Sequence, residues 1–151
     1  MIKNELNISI RPVEKMDYIR FAMKLEDGSD IDPCYPTALS TLRQASNIDS
    51  AFGKCYIAEF NSNIIGFIYG FVLPNRLLIP EYVYVKPNYR KNGIAKNLLL
   101  MLEKESKCDV SMIFYNKVLR EHYCKLGYTV GEKLEVAMKE LVENIDGKTK
   151  I

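Results

Sequence analysis

Stretches rich in β-branched and aromatic residues predict the strands of this chain, because such side chains fit a pleated, half-buried surface. The clearest pair is separated only by Asn61-Ser62-Asn63, which indicates a hairpin. The run at 110–115 carries no charge and predicts a buried strand. In chain order, the predicted strands are 8–11, 55–60, 64–73, 77–85, 110–115, 128–130 and 134–141.

Apolar residues at helical spacing predict four helices, at about 13–25, 37–45, 94–105 and 117–125. Asp27-Gly28 ends the first helix, Pro36 opens the second, and Gly127 follows the last in the position that favours a left-handed cap. The third helix lies between the fourth and fifth predicted strands, so this unit is expected to form a parallel crossover. The order β-α-α-β-β-β-α-β-α-β-β therefore predicts an α/β protein, with a mixed sheet and helices on both faces.

Length and charge narrow the class of protein. The 151 residues are expected to form a single domain, 1–151, with a polar tail that frays from about 143. Lys and Arg number 21 and Asp and Glu number 19, and a net charge of +2 does not favour nucleic acid or a membrane surface as the main partner. No run approaches the ~20 apolar residues of a membrane span, and the polar start does not resemble a signal peptide.

The cysteines do not form a metal-binding pattern. The four cysteines lie far apart without a C-x-x-C pair, and His122 is the only histidine, so no zinc site is predicted. A cytoplasmic protein with reduced thiols is the expectation. A covalent route through Cys124 is disfavoured because only His122 is near it in sequence, and helical residues two apart do not face each other. We interpret Cys124 as a core residue.

One segment concentrates positive charge where a predicted strand ends and a helix begins. No carboxylate occurs between Glu81 and Glu103. A helix start offers backbone N–H groups and the positive end of the helix dipole, so the segment predicts a site for a phosphate. A nucleic-acid patch is the alternative, although such a patch usually has more basic residues along one face. The basic residues are Lys86, Arg90, Lys91 and Lys96.

The loop sequence selects among phosphate motifs. It has neither the Gly-Lys-Ser/Thr ending of a nucleotide P-loop nor G-x-G-x-x-G. Residues 90–95, Arg-Lys-Asn-Gly-Ile-Ala, instead match Arg/Gln-x-x-Gly-x-Gly/Ala. In its strand, loop and helix setting this motif resembles the acetyl-CoA pyrophosphate loop of the GNAT superfamily of N-acetyltransferases. The resemblance implies that these residues bind the cofactor: Arg90, Lys91, Asn92, Gly93, Ile94, Ala95 and Lys96.

The resemblance covers nearly the whole chain and implies the GNAT fold, a central mixed sheet of about seven strands flanked by four helices. It also implies acetyl-CoA as the acyl donor. The strand before the loop would offer backbone groups of Val83, Tyr84 and Val85 to the pantetheine arm and the acetyl carbonyl. A backbone amide aimed at the thioester oxygen stabilises a tetrahedral intermediate by about 3 kcal/mol in other acyl transfers. Ordinary sheet pairing is compatible with the same residues.

A second motif suggests a proton donor. The segment from Tyr123 to Tyr128 resembles the family's Y-x-x-x-G-F/Y motif, in which the tyrosine stands near the CoA sulfur as general acid. A phenol of pKa ~10 is protonated at neutral pH and can return a proton to a thiolate. The structural alternative is a half-buried tyrosine that packs the last helix. Asn116 matches a position that either binds the pantetheine arm or caps the helix.

Glu81 is the candidate base, because some family members carry a carboxylate on this strand. An alkylammonium of pKa ~10 must lose a proton before it attacks, and a carboxylate can accept it directly, accept it through water, or simply hold the cation. A surface glutamate without a role is an equal alternative. The resemblance implies that the acidic segment 26–32 borders the acceptor pocket. Acidic loops are usually only solvated, and we prefer the interpretation of this segment as a solvated loop.

The sequence therefore predicts an N-acetyltransferase that moves an acetyl group from acetyl-CoA to a primary amine, of a small cationic molecule, by direct attack in a ternary complex. The short connection between the last two predicted strands leaves the acceptor site open, to be completed by a second subunit in a homodimer or used by a peptide N-terminus. A non-catalytic acyl-CoA-binding module is the rival from another class. The presence of both Tyr123 and Glu81 argues against it.

Overall fold

The computed structural model describes residues 7–23, 28–47, 53–115 and 117–129. The chain forms two compact units, Met1–Tyr115 and Asn116–Ile151. None of the described helices is long and apolar enough to cross a membrane.

The described elements of the first unit are β1 (Ser9–Pro12), α1 (Asp17–Ala22), α2 (Tyr35–Asn47), β2 (Gly53–Phe60), β3 (Asn63–Leu73), β4 (Leu77–Val85), α3 (Ile94–Ser106) and β5 (Val110–Ser111). These five described strands form one mixed sheet in the order β1-β2-β3-β4-β5. The first four pair antiparallel, and β4 pairs in parallel with β5, which follows α3 in the chain. The predicted mixed sheet and parallel crossover are confirmed.

Helices cover both faces of the sheet. On one face Phe21 of α1 and Leu42 of α2 pack in a cluster with Phe67 of β3. On the other face, α3 contacts β2, β3 and β4, and a Cβ added at Gly70 would lie 3.0 Å from Leu102 Cδ2. Successive strand residues point to opposite faces, so the apolar runs of β3 and β4 supply both layers of the core.

The first helix is shorter than predicted. Val13 N–H donates to the Cys55 carbonyl at 3.0 Å, so the chain is still bonded to the sheet where the helix was expected to begin. The helix ends at Ala22 because Met23 has an extended conformation. Local spacing cannot reveal such a sheet contact, because the partner lies far away in the sequence.

The fifth strand is shorter and more exposed than predicted. It pairs only with Leu77 and Leu78 of β4, and Val110 is 59% exposed, so the expectation of a buried strand at 110–115 is wrong. Two features of β4 explain the short pairing. Pro80 has no N–H to donate, and a β-bulge at Glu81 bends the strand.

The second unit contains a turn of 3₁₀ helix, Lys117–Leu119, followed by α4 (Arg120–Lys125). Gly127 has φ +91°, which confirms the predicted left-handed residue after this helix. Tyr128 and Thr129 are not in a strand, and the rest of the predicted strands 128–130 and 134–141 lies outside the described residues.

Candidate functional site

The loop between β4 and α3 ends in an uncapped helix N-terminus. After one 3₁₀ turn, Pro87–Tyr89, Gly93 stands directly before α3 in the left-handed region, with φ +74°. The Asn92 amide donates to the carbonyls of Tyr89 and Arg90, at 3.0 and 3.1 Å, and so holds the loop in shape. Within the described part of the chain no side chain caps the first turn of α3, and this turn carries no acidic residue. Its N–H groups and the helix dipole therefore suit an anion.

Gly93 has space in front of it. A Cβ added there would meet no atom of the described residues within 4 Å, so close packing is not what requires glycine. The positive φ is one reason for glycine at this position. The open space would also let a phosphate approach the backbone.

Lys86 differs from the other basic residues of this segment in being buried. Its side chain is buried, with 1% of the residue exposed, and its Nζ lies 4.9 Å from the ring centroid of Phe21 and 5.9 Å from that of Tyr35. Cation–π attraction to the two rings helps to offset the cost of burying this ammonium. Lys86 was counted among the basic residues of this segment, but its ammonium lies in the core of the protein.

Arg90 turns back onto the sheet. Its Nε donates to the Val85 carbonyl at 2.8 Å, its Nη2 donates to Asp32 Oδ2 at 2.6 Å, and its guanidinium lies 5.4 Å from the ring centroid of Tyr84. The charge of Arg90 is thus shared with a carboxylate. Lys91 and Lys96 are the other two basic residues of the segment. Both are exposed, and no described contact holds their side chains away from the loop.

Asp32 is a site residue that sequence analysis missed. It belongs to the connection between α1 and α2 that was interpreted as solvated, yet its side chain is only 6% exposed. Its Oδ2 also accepts a hydrogen bond from the Tyr84 hydroxyl at 2.5 Å, and its Oδ1 accepts one from Cys34 N–H at 3.0 Å. The hydrogen bond from Tyr84, together with those from Cys34 and Arg90, lowers the pKa of Asp32, while burial and this carboxylate raise the pKa of Tyr84. The only local signal is Asp before Pro, a turn pattern.

The predicted backbone contacts on β4 divide into two kinds. Lys86 N–H donates to the Ile65 carbonyl of β3 at 2.8 Å. Because successive residues direct their backbone groups to alternate edges, those of Tyr84 also face β3. Those of Val83 and Val85 face the other edge, where β5 has no pairing with them in the described part of the chain. We call this edge, at Val83 and Val85, the open edge of β4; it ends at the loop.

Glu81 lies in the β-bulge of β4 and is exposed. Burial and the negative charge of Glu81 raise the pKa of Tyr69, which pairs with Tyr82 directly beside the bulge. The Tyr69 hydroxyl is buried and has no hydrogen-bond partner among the described residues. A carboxylate at a bend, beside an open strand edge, is placed where it can meet a cation from solvent.

The second unit carries the candidate acid. Tyr123 of α4 is half-buried, its ring lies 5.2 Å from that of His122 and 5.9 Å from that of Tyr128, and its carbonyl accepts the Tyr128 N–H at 3.0 Å. Cys124 is exposed, so its interpretation as a core residue is wrong. The predicted pantetheine ligand Asn116 lies outside the described residues.

A family model described as an acetyltransferase (GNAT) domain matches residues 51–130. This match spans more than half of the chain and includes β2 to α4, and therefore the loop and the open edge of β4. The chain belongs to the GNAT acetyltransferase family. No curated protein shows significant sequence similarity to it.

Solved structures share the fold at low sequence identity. A possible acetyltransferase from Clostridium difficile 630 has a TM-score of 0.66 at 16% identity, over 89% of this chain and 98% of that one. The aminoglycoside N-acetyltransferase AAC(6')-Iy, in complex with CoA, has a TM-score of 0.64 at 16% identity, over 92% of this chain and 99% of that one. A ribosomal-protein-alanine N-acetyltransferase from Brucella melitensis biovar Abortus 2308 has a TM-score of 0.61 at 17% identity, over 88% of this chain and 99% of that one. The predicted GNAT-like fold is confirmed.

Proposed function

We propose that this protein is an acetyl-CoA-dependent N-acetyltransferase that acts on the primary amine of a small cationic molecule. The observation that carries the proposal is the uncapped N-terminus of α3 next to the open edge of β4. The first can hold the pyrophosphate of acetyl-CoA, and the second can pair with the amide groups of the pantetheine arm. The proposal includes a single domain over residues 1–151 that acts in the cytoplasm.

The loop residues would hold the donor mainly through their backbone. N–H groups from Asn92 to Lys96 meet the pyrophosphate, and the exposed ammonium groups of Lys91 and Lys96 add charge. The backbone of Val83 and Val85 aligns the thioester. A strand N–H at the thioester oxygen would stabilise the tetrahedral intermediate.

The reaction removes two protons from the acceptor nitrogen and adds one to the sulfur of CoA. The ammonium of the acceptor loses the first to solvent or to Glu81, whose carboxylate also attracts the cation. The neutral amine attacks the thioester carbon in the ternary complex, the nitrogen of the tetrahedral intermediate loses its second proton to solvent, and the C–S bond breaks when the intermediate collapses. Tyr123 donates its phenolic proton to the leaving thiolate and regains a proton from solvent, while Asn116 would align the pantetheine arm.

The class of acceptor is supported by charge and by likeness. Glu81 is an exposed carboxylate beside the open edge of β4. AAC(6')-Iy has been solved with the bisubstrate analog CoA-S-monomethyl-acetylneamine, and the aminoglycoside acetyltransferase meta-AAC0020 with sisomicin. Another structural neighbour is a ribosomal-protein-alanine N-acetyltransferase, so a peptide N-terminus is the second class of acceptor to test.

A panel of amines tests the proposal. Purified protein with acetyl-CoA is supplied with polyamines, aminoglycosides, amino acids or N-terminal peptides, and released CoA is measured with a thiol reagent. Release with at least one small cationic amine, together with the acetylated amine in mass spectra, is expected. Faster release with peptides would reassign the acceptor. Tight binding of acetyl-CoA without transfer to any amine would favour a non-catalytic binding module.

A further inference from the structure

The connection between α1 and α2 contacts the loop between β4 and α3, residues 86–93, at two separate points. We call this loop the anion loop. At the first point, a Cβ added to Gly28 would lie 2.8 Å from Asn88 Oδ1 and 3.1 Å from Pro87 Cβ, so the backbone at Gly28 packs closely against the side chains of these two loop residues. Gly28 also has φ +79°, which a residue with a side chain adopts only with strain. At the second point, Asp32 accepts hydrogen bonds from Arg90 and Tyr84.

Asp32 is well placed to control the shape of the loop. Its carboxylate contacts a residue of the loop and a residue of β4, 58 and 52 positions away in sequence. Arg90 in turn joins the loop to the last residue of β4 through the Val85 carbonyl. The side chain of Asp32 is 6% exposed and that of Arg90 is 47% exposed, so the contact is screened on one side only.

We propose that Asp32 is a positioning residue for acyl-CoA binding: its carboxylate holds Arg90 and Tyr84, and thereby keeps the loop in the shape that its backbone N–H groups need to bind a pyrophosphate. This inference rests on the proposed function. It assigns to the Arg90 side chain the task of fixing the loop, because two of its donors are already used within the protein. The phosphate is left to the backbone and to the two exposed lysines.

Asp32→Asn tests the proposal with little change in shape. The variant keeps an oxygen for the Cys34 N–H but loses the charge that attracts Arg90. We expect the Kd for CoA, measured by titration calorimetry, to rise about tenfold, because charge-assisted hydrogen bonds are the strong ones. The KM for acetyl-CoA should rise in parallel while kcat stays within about twofold, a split that a general loss of structure does not produce.

Asp109→Asn is the matched control. It removes the charge from another carboxylate–arginine pair of the same unit, the one with Arg76, whose two hydrogen bonds are both 2.9 Å. Its Kd for CoA should equal that of the wild type. If Asp32→Asn does not fold, Tyr84→Phe removes one of the two side-chain donors to the same carboxylate without a change of charge, and it should weaken CoA binding by a smaller factor.

A double-variant cycle with Arg90→Gln tests whether Asp32 affects CoA binding through Arg90 or independently of it. If Asp32 acts through Arg90, adding Asp32→Asn to Arg90→Gln should change the Kd by no more than about twofold. Fully additive losses would overturn the proposal, as would an unchanged Kd in Asp32→Asn. Tighter binding by Asp32→Asn would also overturn it, since Arg90 would then be a phosphate ligand that Asp32 restrains. A wild-type protein that does not bind CoA would overturn the proposed function as well.

Discussion

Lys86 and Arg90 are both basic residues near the anion loop, but the folded chain uses them differently from what their sequence position suggests. The ammonium of Lys86 is covered by the rings of Phe21 and Tyr35, and the guanidinium of Arg90 is paired with Asp32. A cation in such a contact contributes to the packing of the protein and attracts a ligand less. The positive charge available to a phosphate is therefore smaller than the sequence indicates, and the backbone of the loop becomes correspondingly more important.

The proposed role of Tyr123 as proton donor can be tested by a single substitution. Tyr123→Phe removes the phenolic proton and retains the ring that contacts His122 and Tyr128, so we expect kcat to fall by about tenfold to a hundredfold with little change in the Kd for CoA. The measurement is steady-state CoA release together with calorimetric binding.

Tyr128→Phe is the control for this substitution, because it removes a second phenol from the same unit and keeps both rings of the edge-to-face pair. Its kcat should match that of the wild type. Equal losses in both variants would show that the phenols act on structure, and an unaffected kcat in Tyr123→Phe would remove this residue from the proton-transfer step.

At the scale of single elements, prediction from sequence succeeded where the determining interactions are local. The hairpin of β2 and β3, the range of β4, and the start of α3 directly after Gly93 follow from residues that are neighbours in the chain. Prediction was wrong for β5, whose pairing depends on a bulge and a proline in another strand. Strand length is decided by the partner as much as by the strand's own residues.

The loop before α3 can be tested by Gly93→Ala. The added methyl group is strained at φ +74° and would stand in the space where the phosphate is proposed to bind. We expect the Kd for CoA to rise about tenfold, because the penalty for a left-handed alanine adds to the steric conflict with the ligand. Calorimetric titration with CoA measures the effect.

Gly127→Ala is the matched control for the loop. Gly127 also has a positive φ, +91°, and a Cβ there would likewise meet no described atom within 4 Å. The backbone strain is of the same kind, but the residue lies outside the anion loop. If both substitutions weakened CoA binding equally, strain alone would account for the result and the loop would lose its special role.

At the scale of the whole molecule, the side chain of Arg11 joins three elements, one of them 48 residues away in the sequence. Arg11 of β1 donates two hydrogen bonds to Asp17 of α1, both 2.9 Å, and one to Glu59 of β2 at 3.0 Å. The Asp17 carboxylate also accepts the Glu14 N–H, at 2.7 Å, and its side chain is 1% exposed. The hydrogen bonds to the two carboxylates raise the pKa of Arg11, so the guanidinium stays charged.

Removal of this buried carboxylate should destabilise the first unit. Asp17→Ala leaves the guanidinium of Arg11 with one partner fewer and the Glu14 N–H without its acceptor, and we expect the free energy of unfolding to fall by about 2–3 kcal/mol. Urea unfolding followed by circular dichroism measures it. Asp109→Ala breaks the exposed pair with Arg76 and should leave the midpoint nearly unchanged. Equal shifts in the two variants would mean that burial of Asp17 adds nothing.

The sequence by itself determined the order of the elements from β1 to α4, the anion loop and the family, because hydrophobic periodicity, turn residues and the 90–95 motif are properties of consecutive residues. The tertiary structure alone decided which charges face solvent. Whether Asp32 is a solvated acid or the partner of Arg90 depends on a contact across 58 residues. Such a contact forms only when the sheet brings both segments together, and no local pattern of residue types encodes that distance.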